Sequence, residues 1–136
     1  MPVMIQGDIF SDMRGKVLFN NQLDLTAVKR MYFIENADDE PVRAWQAHRV
    51  EQRWFTTVKG TFKIRVVKID DWSSPSEALI AEEFILDEQS FDTLIIEPGH
   101  ATSVHALEPG SRLMCCSDYA IGSVDDNIKF DSNKWK

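Results

Sequence analysis

The sequence predicts an all-β protein, built as a sandwich or a barrel, on three observations. Short runs rich in β-branched and aromatic residues recur at intervals of roughly 8 to 12 residues. The run from Thr61 to Ile69 alternates apolar and charged side chains, as a half-buried antiparallel strand does. Turn residues separate the runs, including two Glu-Pro-Gly sequences that begin at Glu97 and Glu108.

Each element is predicted from composition and bounding turns. The ten residues Glu77–Leu86 also suit a helix, because they include Glu and Ala, but the neighbouring strands favour a strand. The stretch Val42–Gly60 has no helical period and ends on a turn signal, Lys59-Gly60. The remaining predictions are an edge strand or arm at Met1–Arg14 and strands at Lys16–Phe19, Val28–Ile34, Thr93–Ile96, His100–Leu107 and Arg112–Asp118.

Length and composition predict one domain over residues 1–136, whose tail at 119–136 packs on the barrel through Ile128, Phe130 and Trp135. A hydrophobic content of 43% and a charged content of 27% are ordinary for a soluble globular protein. The net charge of −7 argues against a nucleic-acid partner, which needs a basic patch. No apolar run reaches 18 residues, so no membrane span is expected.

The two cysteines predict a cytoplasmic location. Cys115 and Cys116 are adjacent in a strand-like run, so their side chains point to opposite faces and cannot easily bridge. Reduced thiols are typical of the cytoplasm, and the first twelve residues lack the basic and apolar regions of a secretory signal.

The stretch Val42–Gly60 is the strongest functional signal. It holds three arginines, two tryptophans and one of the three histidines, where a plain core strand would carry Val, Ile and Leu. Polar and aromatic side chains at this density in a strand predict that it lines a binding site.

A family resemblance follows from three motifs: Arg14-Gly15-Lys16, the run Lys29–Asn36, and Val42–His48. Together they resemble the dTDP-sugar 3,4-ketoisomerases of the cupin superfamily, which usually carry Arg-Gly-x-His-Ala-His in the third motif. The second half, with Ser74–Ser76, Ile96–Gly99 and Asp125–Phe130, resembles the related dTDP-4-dehydrorhamnose 3,5-epimerases. The resemblance implies a small jelly-roll barrel, a homodimer, and a nucleotide-linked 4-oxo-6-deoxyhexose bound in the barrel mouth. It also implies a role in making surface-polysaccharide sugars.

The chain departs from these families at several site positions. Gln46 replaces the first histidine of the His-Ala-His motif, which resembles the general base, while His48 keeps the second. Thr102 stands where the epimerases carry a histidine, Cys115 where they carry a tyrosine, and Arg53 where they carry a lysine. The same positions bind metal in other cupins, and here only His48 remains of the usual ligand set. No metal and no cofactor is therefore expected.

Ketoisomerisation and epimerisation both remove a proton from carbon next to a carbonyl, which needs a base and a group that stabilises the enolate oxygen. An amide cannot act as this base, so Gln46 is predicted to donate a hydrogen bond to the carbonyl oxygen. His48 has an ordinary pKa near 6.5 and is the predicted base; the alternative is a histidine that is only structural. Tyr32 is the predicted acid or sugar contact, and a core role is its alternative.

The other predicted residues bind substrate. Arg43 and Arg53 suit a diphosphate or an enolate, because a guanidinium matches phosphate geometry; their alternative is a solvent-facing ion pair with Glu51. Trp45 is predicted to stack on a base or sugar unless it packs in the core. His100 shares a face with Thr102, and both are predicted to contact substrate, although an exposed loop histidine is the alternative for His100.

Two functions from different classes stay open on these residues. The first is an isomerase or epimerase that acts on a dTDP-linked 4-oxo-6-deoxyhexose. The second is a nucleotide-sugar or carbohydrate-binding cupin that has lost catalysis through Gln46 and Thr102.

Overall fold

A computed structural model describes residues 2–136 and contains two five-stranded antiparallel sheets and a separate two-stranded ribbon. No helix in this range is long and apolar enough to cross a membrane. The strands, in chain order, are β1 Val3–Ile5, β2 Asp8–Asp12, β3 Gly15–Phe19, β4 Arg30–Glu35, β5 Val42–His48, β6 Arg53–Lys59, β7 Thr61–Lys68, β8 Glu82–Asp87, β9 Thr93–Ile96, β10 His100–Ala106, β11 Arg112–Ser117 and β12 Ile128–Lys129.

The two large sheets alternate along the chain, as in a jelly roll. The first sheet has the order β1-β9-β6-β11-β4, and the second has the order β12-β5-β10-β7-β8. The pair β2–β3 forms a ribbon of its own. The all-β jelly-roll prediction is confirmed.

The main core fills the space between the sheets. Side chains from the inner face of each sheet meet there, because inward residues alternate with outward ones along each strand. Its fully buried members include Phe55, Phe62, Ile64, Leu94 and Leu113. The alternation predicted for Thr61–Ile69 is observed, since Phe62, Ile64 and Val66 all belong to this core.

A second apolar cluster covers the outer face of the second sheet. Trp45, Ala47, Val67, Ile69 and Ala101 point outwards from β5, β7, β10 and the residue after β7, and Trp135 of the tail packs on them. The rings of Trp45 and Trp135 meet edge to face with centroids 5.3 Å apart. In addition, the indole N–H of Trp135 donates to the carbonyl of Ser76 at 2.8 Å. The segment 119–136 is therefore attached by both packing and hydrogen bonds.

Most strand bounds agree with the sequence analysis, and two regions differ. In Glu77–Leu86 only the second half is a strand, β8, which begins at Glu82. The stretch Val42–Gly60 is two strands, not one: β5 belongs to the second sheet and β6 to the first. No Gly or Pro marks the turn between them, which is why composition did not reveal it.

The turn predicted at Lys59-Gly60 is present between β6 and β7. Gly60 has φ of +74°, and a Cβ there would lie 2.0 Å from Oγ of Ser111. Only glycine meets both conditions without strain.

Candidate functional site

A groove of about 860 Å³ lies where β4 of the first sheet faces β5 of the second. Its charged lining is mainly basic: Arg30, Arg43 and Lys129 stand against one carboxylate, Glu35. This excess contrasts with the overall charge of −7 and gives the groove a local field that attracts anions. The remaining lining residues are Met31, Tyr32, Phe33, Ile34, Val42, Ala44, Trp45, Gln46 and Ile121.

An irregularity in β5 decides which of its side chains face the groove. In a regular strand Arg43 would point away from Gln46 and His48, because the side-chain period is two. Here the register with β10 shifts: Thr102 pairs with Gln46 but Val104 pairs with Arg43, so β5 carries one extra residue. Arg43, Gln46 and His48 each pair with a β10 residue that points inward. All three side chains therefore lie on the inner face of β5. A regular strand would place only Gln46 and His48 of these three on one face.

Arg43 and Gln46 form part of the groove wall, and each is oriented by a neighbour. Nε of Arg43 donates to Oδ1 of Asn36 at 2.8 Å, and Asn36 is itself buried. The side-chain amide of Gln46 donates to Oδ1 of Asn127 at 2.7 Å. Both side chains are exposed, so each can reach a bound molecule.

Tyr32 and Arg30 form the opposite wall, on the inner face of β4. The guanidinium of Arg30 lies over the Tyr32 ring, 5.1 Å from its centroid. Nε of Arg30 is buried and has no hydrogen-bond partner among residues 2–136. Burial raises the pKa of Tyr32 above its usual 10, so its hydroxyl keeps its proton at neutral pH. Arg30 was not among the predicted site residues, although it lies in the run Lys29–Asn36 that carries part of the family resemblance.

Arg53 and Thr102 lie beneath the groove, between the sheets. Arg53 is only 3% exposed, and its Nη2 donates to Oγ1 of Thr102 at 2.9 Å. Burial lowers the pKa of Arg53, but nearby Tyr32, Cys115 and Glu51 act in the opposite direction. The alternative of a solvent-facing arginine is therefore wrong. The structure brings Arg53 and Thr102, both predicted to contact substrate, into direct contact.

His48 is 6% exposed and has two carboxylates beside it. Its Nδ1 lies 3.1 Å from Oε2 of Glu51 and 3.7 Å from Oδ2 of Asp126. Burial, and then the charge of Arg53, lower the pKa of His48 to about 4, while Asp126 raises it. The imidazole is therefore neutral at pH 7. Burial also raises the pKa of Glu51, against the lowering effect of Arg30.

Asp126 holds the turn that carries Glu51. Its carboxylate accepts three consecutive backbone N–H groups: Arg49 at 2.7 Å, Val50 at 2.9 Å and Glu51 at 2.9 Å. This arrangement joins the tail to the turn between β5 and β6 and supplies the geometry that a Gly or Pro would otherwise provide. Sequence reasoning used Asp126 only as part of a family motif, because 75 residues separate it from Glu51.

His48, Glu51 and Asp126 also meet the distance requirement of a metal site, since one ligand atom from each lies within 4.8 Å of the others. Imidazole and carboxylates are ordinary ligands of divalent metals. The surroundings fit a dication poorly, because both oxygens of Asp126 already accept backbone N–H groups and Arg53 lies close enough to affect His48. The two carboxylates are instead balanced by the two nearby guanidinium groups of Arg30 and Arg53.

Trp45, predicted to stack on a ligand, is buried outside the groove's interior. Trp45 is 2% exposed, and its ring packs against Trp135 on the outer face of the sheet. Its Nε1 donates to the carbonyl of Lys134 at 2.8 Å, so no ring face is free to stack on a ligand. The position of Trp45 supports the alternative that it packs in the core.

His100 is 4% exposed, pairs across the strands with His48, and has Nδ1 2.8 Å from the carbonyl of Glu97. The exposed-loop alternative for His100 is wrong.

The cysteines do not offer a nucleophile. Cys115 lies in the main core opposite Tyr32, and burial raises the pKa of its thiol to about 12. Cys116 lies on the other face of the same strand, and both thiols are free.

Comparisons with solved structures show the fold: the chain is similar in structure to several sugar 3,4-ketoisomerases and 3,5-epimerases. A 3,4-ketoisomerase from Helicobacter canadensis superimposes with a TM-score of 0.71 at 16% identity, over 93% of this chain and 89% of that chain. QdtA, a sugar 3,4-ketoisomerase from Thermoanaerobacterium thermosaccharolyticum in complex with TDP, gives 0.69 at 19% identity, over 92% and 85%. The dTDP-4-dehydrorhamnose 3,5-epimerase from Bacillus anthracis, with TDP and PPi bound, gives 0.74 at 15% identity, over 92% and 76%.

No protein-family model and no curated protein matches the sequence. At identities of 15% to 19% the likeness establishes the fold. The site residues must therefore be judged on their own geometry.

Proposed function

We propose that the protein is an isomerase or epimerase acting on a dTDP-linked 4-oxo-6-deoxyhexose. The observation that carries this proposal is the basic groove that opens onto the same strand face as a neutral, buried His48. Structural neighbours with bound TDP support a nucleotide-sugar ligand of this class.

The groove would hold the nucleotide diphosphate through its cations. Arg43 is oriented by Asn36, and the guanidinium of Arg30 lines the same groove from the opposite wall. Guanidinium groups match phosphate oxygens in geometry and charge, and Lys129 adds a third positive charge at the same opening. Arg53 lies too deep to reach a diphosphate in the groove, so its role is to orient Thr102 and polarise the inner site.

His48 would remove the proton next to the carbonyl. Because Nδ1 faces Glu51, Nε2 is the nitrogen left to accept the proton. The electron pair of the broken C–H bond forms the C=C bond of an enolate, and the carbonyl π electrons move to oxygen. The negative charge that develops beside the ring raises the proton affinity of His48 in the transition state.

The proton would then return to carbon. Return to the opposite face of the same carbon gives epimerisation. Ketoisomerisation instead needs the C3 hydroxyl proton to pass to the C4 oxygen, which gives an enediol; the C3 oxygen then becomes the carbonyl as a proton is delivered to C4. Tyr32 keeps its hydroxyl proton at neutral pH and is the proposed acid, while Gln46 donates a hydrogen bond to the developing oxyanion.

The test is hydrogen exchange with dTDP-4-oxo-6-deoxyglucose in deuterated water, followed by NMR at carbons 3 and 5. Wild-type protein should incorporate deuterium at one of them. His48→Gln should lower the rate by about 10² to 10⁴-fold, the usual contribution of a general base. The matched control is His105→Gln, because His105 projects from β10 on the outer face and should leave the rate unchanged.

Exchange that persists at full rate in His48→Gln would remove His48 from the mechanism. Thermal stabilisation by the nucleotide sugar without any exchange would favour the binding-protein alternative over catalysis. Absence of both stabilisation and exchange would overturn the proposed ligand class.

A separate measurement tests the diphosphate contact. Arg43→Gln should weaken dTDP binding by about tenfold to a hundredfold, because a charged hydrogen bond contributes roughly 1.5–3 kcal/mol. Titration calorimetry gives the dissociation constant. Arg14→Gln is the control, since Arg14 pairs with Asp12 through Nη2 at 2.6 Å in the separate ribbon and does not line the groove.

We further propose a cytoplasmic homodimer. The adjacent thiols Cys115 and Cys116 are free, which suits a reducing compartment. Met31 and Phe33 on the outer face of the edge strand β4 are 59% and 50% exposed, and a second copy would cover them.

A further inference from the structure

The inference concerns how Glu51 acts on His48, and it rests on the proposed function because it concerns the same base. A neutral histidine exists in two tautomers, and only the one with its proton on Nδ1 leaves a lone pair on Nε2. The tautomer therefore decides whether His48 can accept a proton from a substrate or not.

Nδ1 of His48 has few possible hydrogen-bond partners besides the carboxylate of Glu51. Nδ1 of His48 and Oε2 of Glu51 lie 3.1 Å apart, and both side chains are more than nine-tenths buried. Neither atom forms a hydrogen bond of good geometry among residues 2–136, and Oδ2 of Asp126, at 3.7 Å, is farther from Nδ1 than Oε2 of Glu51 is. Two buried polar atoms this close are satisfied when they share a proton, which needs only a small rotation of either side chain.

The charges around the pair decide which atom carries that proton. Asp126 is held as a carboxylate by three backbone N–H groups. Arg30 and Arg53 both lie close enough to affect the pKa of Glu51 and of His48. The positive charges of Arg30 and Arg53 favour an ionised Glu51, which leaves the shared proton on Nδ1, while burial and the carboxylates of Asp126 and Asp118 act in the opposite direction.

We infer that Glu51 is a positioning residue: its carboxylate accepts the Nδ1 proton of His48 and so keeps Nε2 free to act as a base. Asp126 contributes indirectly, because it fixes the turn of Arg49, Val50 and Glu51 that directs this carboxylate at the ring. Asp126, in the tail, thereby influences the tautomer of His48 in β5.

The direct test is the tautomer of His48 in the full-length wild-type protein, read from the ¹⁵N chemical shifts of the ring nitrogens at pH 7. Nδ1 should carry the proton. In Glu51→Gln the amide can donate to Nδ1, so the proton should move to Nε2. Loss of the orienting carboxylate in serine proteases costs about 10⁴-fold in rate through the wrong tautomer. Here kcat for exchange should fall at least tenfold, with dTDP affinity unchanged.

The control is Glu88→Gln, which alters a carboxylate of the same type that accepts from the N–H of Gly60 at 3.2 Å, at the opposite end of β6. It should leave the His48 tautomer and the exchange rate as in wild type. Glu51→Asp shortens the side chain but keeps the charge, and partial recovery of the Nδ1 proton there would support the assignment.

Three results would overturn the inference: an Nε2 proton on His48 in wild type, an unchanged tautomer in Glu51→Gln, or stoichiometric zinc binding that displaces the Nδ1 proton. The last result would assign the three side chains to a metal site. Failure of the proposed function is distinguishable, because wild-type protein would then show no exchange while the NMR spectrum still reports the Glu51 contact.

Discussion

At the scale of single residues, the environment of His48 controls its protonation. The ring is buried, and the charge of Arg53 adds to the effect of burial in lowering its pKa to about 4. Asp126 acts in the other direction, so the pKa of His48 reflects opposite effects of a cation in β6 and an anion in the tail.

Arg53→Met should raise the pKa of His48, because it removes a positive charge from the neighbourhood of the ring. NMR titration of the imidazole measures the change. Arg112→Met is the control and should leave the titration as in wild type, since Arg112 lies at the other end of β11 beside Glu35. An unchanged pKa in Arg53→Met would mean that burial alone lowers it.

The same pKa makes stability depend on pH. The unfolded chain binds a proton on His48 at pH 6.5 and below, whereas the folded protein resists protonation down to about pH 4. Stability from this group is therefore present above pH 6.5 and is lost as the pH falls towards 4. A histidine pKa lowered from 6.5 to about 4 corresponds to roughly 3 kcal/mol once the pH is below both values.

His48→Gln should therefore reduce the loss of stability between pH 7 and pH 5 relative to wild type. Urea denaturation at both pH values gives the two free energies of unfolding, and the difference between proteins isolates His48 from the carboxylates that also titrate. His105→Gln should retain the wild-type pH dependence. Equal pH dependence in wild type and His48→Gln would contradict the lowered pKa.

At the scale of elements, the turn between β5 and β6 depends on the tail. Three backbone N–H groups in the turn have Asp126 as their acceptor, so the segment 119–136 is part of the site as well as a cover for the outer face. These hydrogen bonds explain how the chain can turn from the second sheet to the first at residues 49–52 without a Gly or Pro.

Asp126→Asn should lower the free energy of unfolding by about 1–3 kcal/mol, because a neutral amide offers one oxygen to donors that now share two charged ones. Urea denaturation measures the loss. Asp125→Asn is the matched control: Asp125 is the exposed neighbour and should change stability by less than about 0.5 kcal/mol. Equal stability in the two variants would mean that water replaces Asp126 at no cost.

At the scale of the whole molecule, the open edge at β4 has two consequences. The inner side chains of β4 form one wall of the groove, while Met31 and Phe33, which also line the groove, are exposed apolar side chains on the outer face of the strand. The same edge strand therefore borders both the proposed ligand groove and the proposed dimer contact.

Phe33→Glu should convert the proposed dimer to a monomer, because it would bury a charge in the contact. Sedimentation equilibrium gives the mass of each variant. Ile80→Glu is the control, since Ile80 is 88% exposed on a different part of the molecule and should leave the mass unchanged. A wild-type protein that sediments as a monomer would contradict the homodimer.

Much of this protein was determined by local sequence. Alternation in Thr61–Ile69 and the glycine at residue 60 specify a strand and a turn, because both depend on neighbours in the chain. Of the polar stretch Val42–Gly60, only residues 42–46 line the groove, and the rest of the stretch lies outside it.

Only the tertiary structure decided which side chains meet. The extra residue in β5 brings Arg43 onto the face of Gln46 and His48, and that is visible only in the register with β10. Glu51 reaches His48 because Asp126, 75 residues away, shapes the turn between them. Contacts between residues so far apart in the chain form only when the barrel closes, and they leave no periodic pattern in the sequence. For this reason the sequence suggested Glu51 only as an ion-pair partner of an arginine.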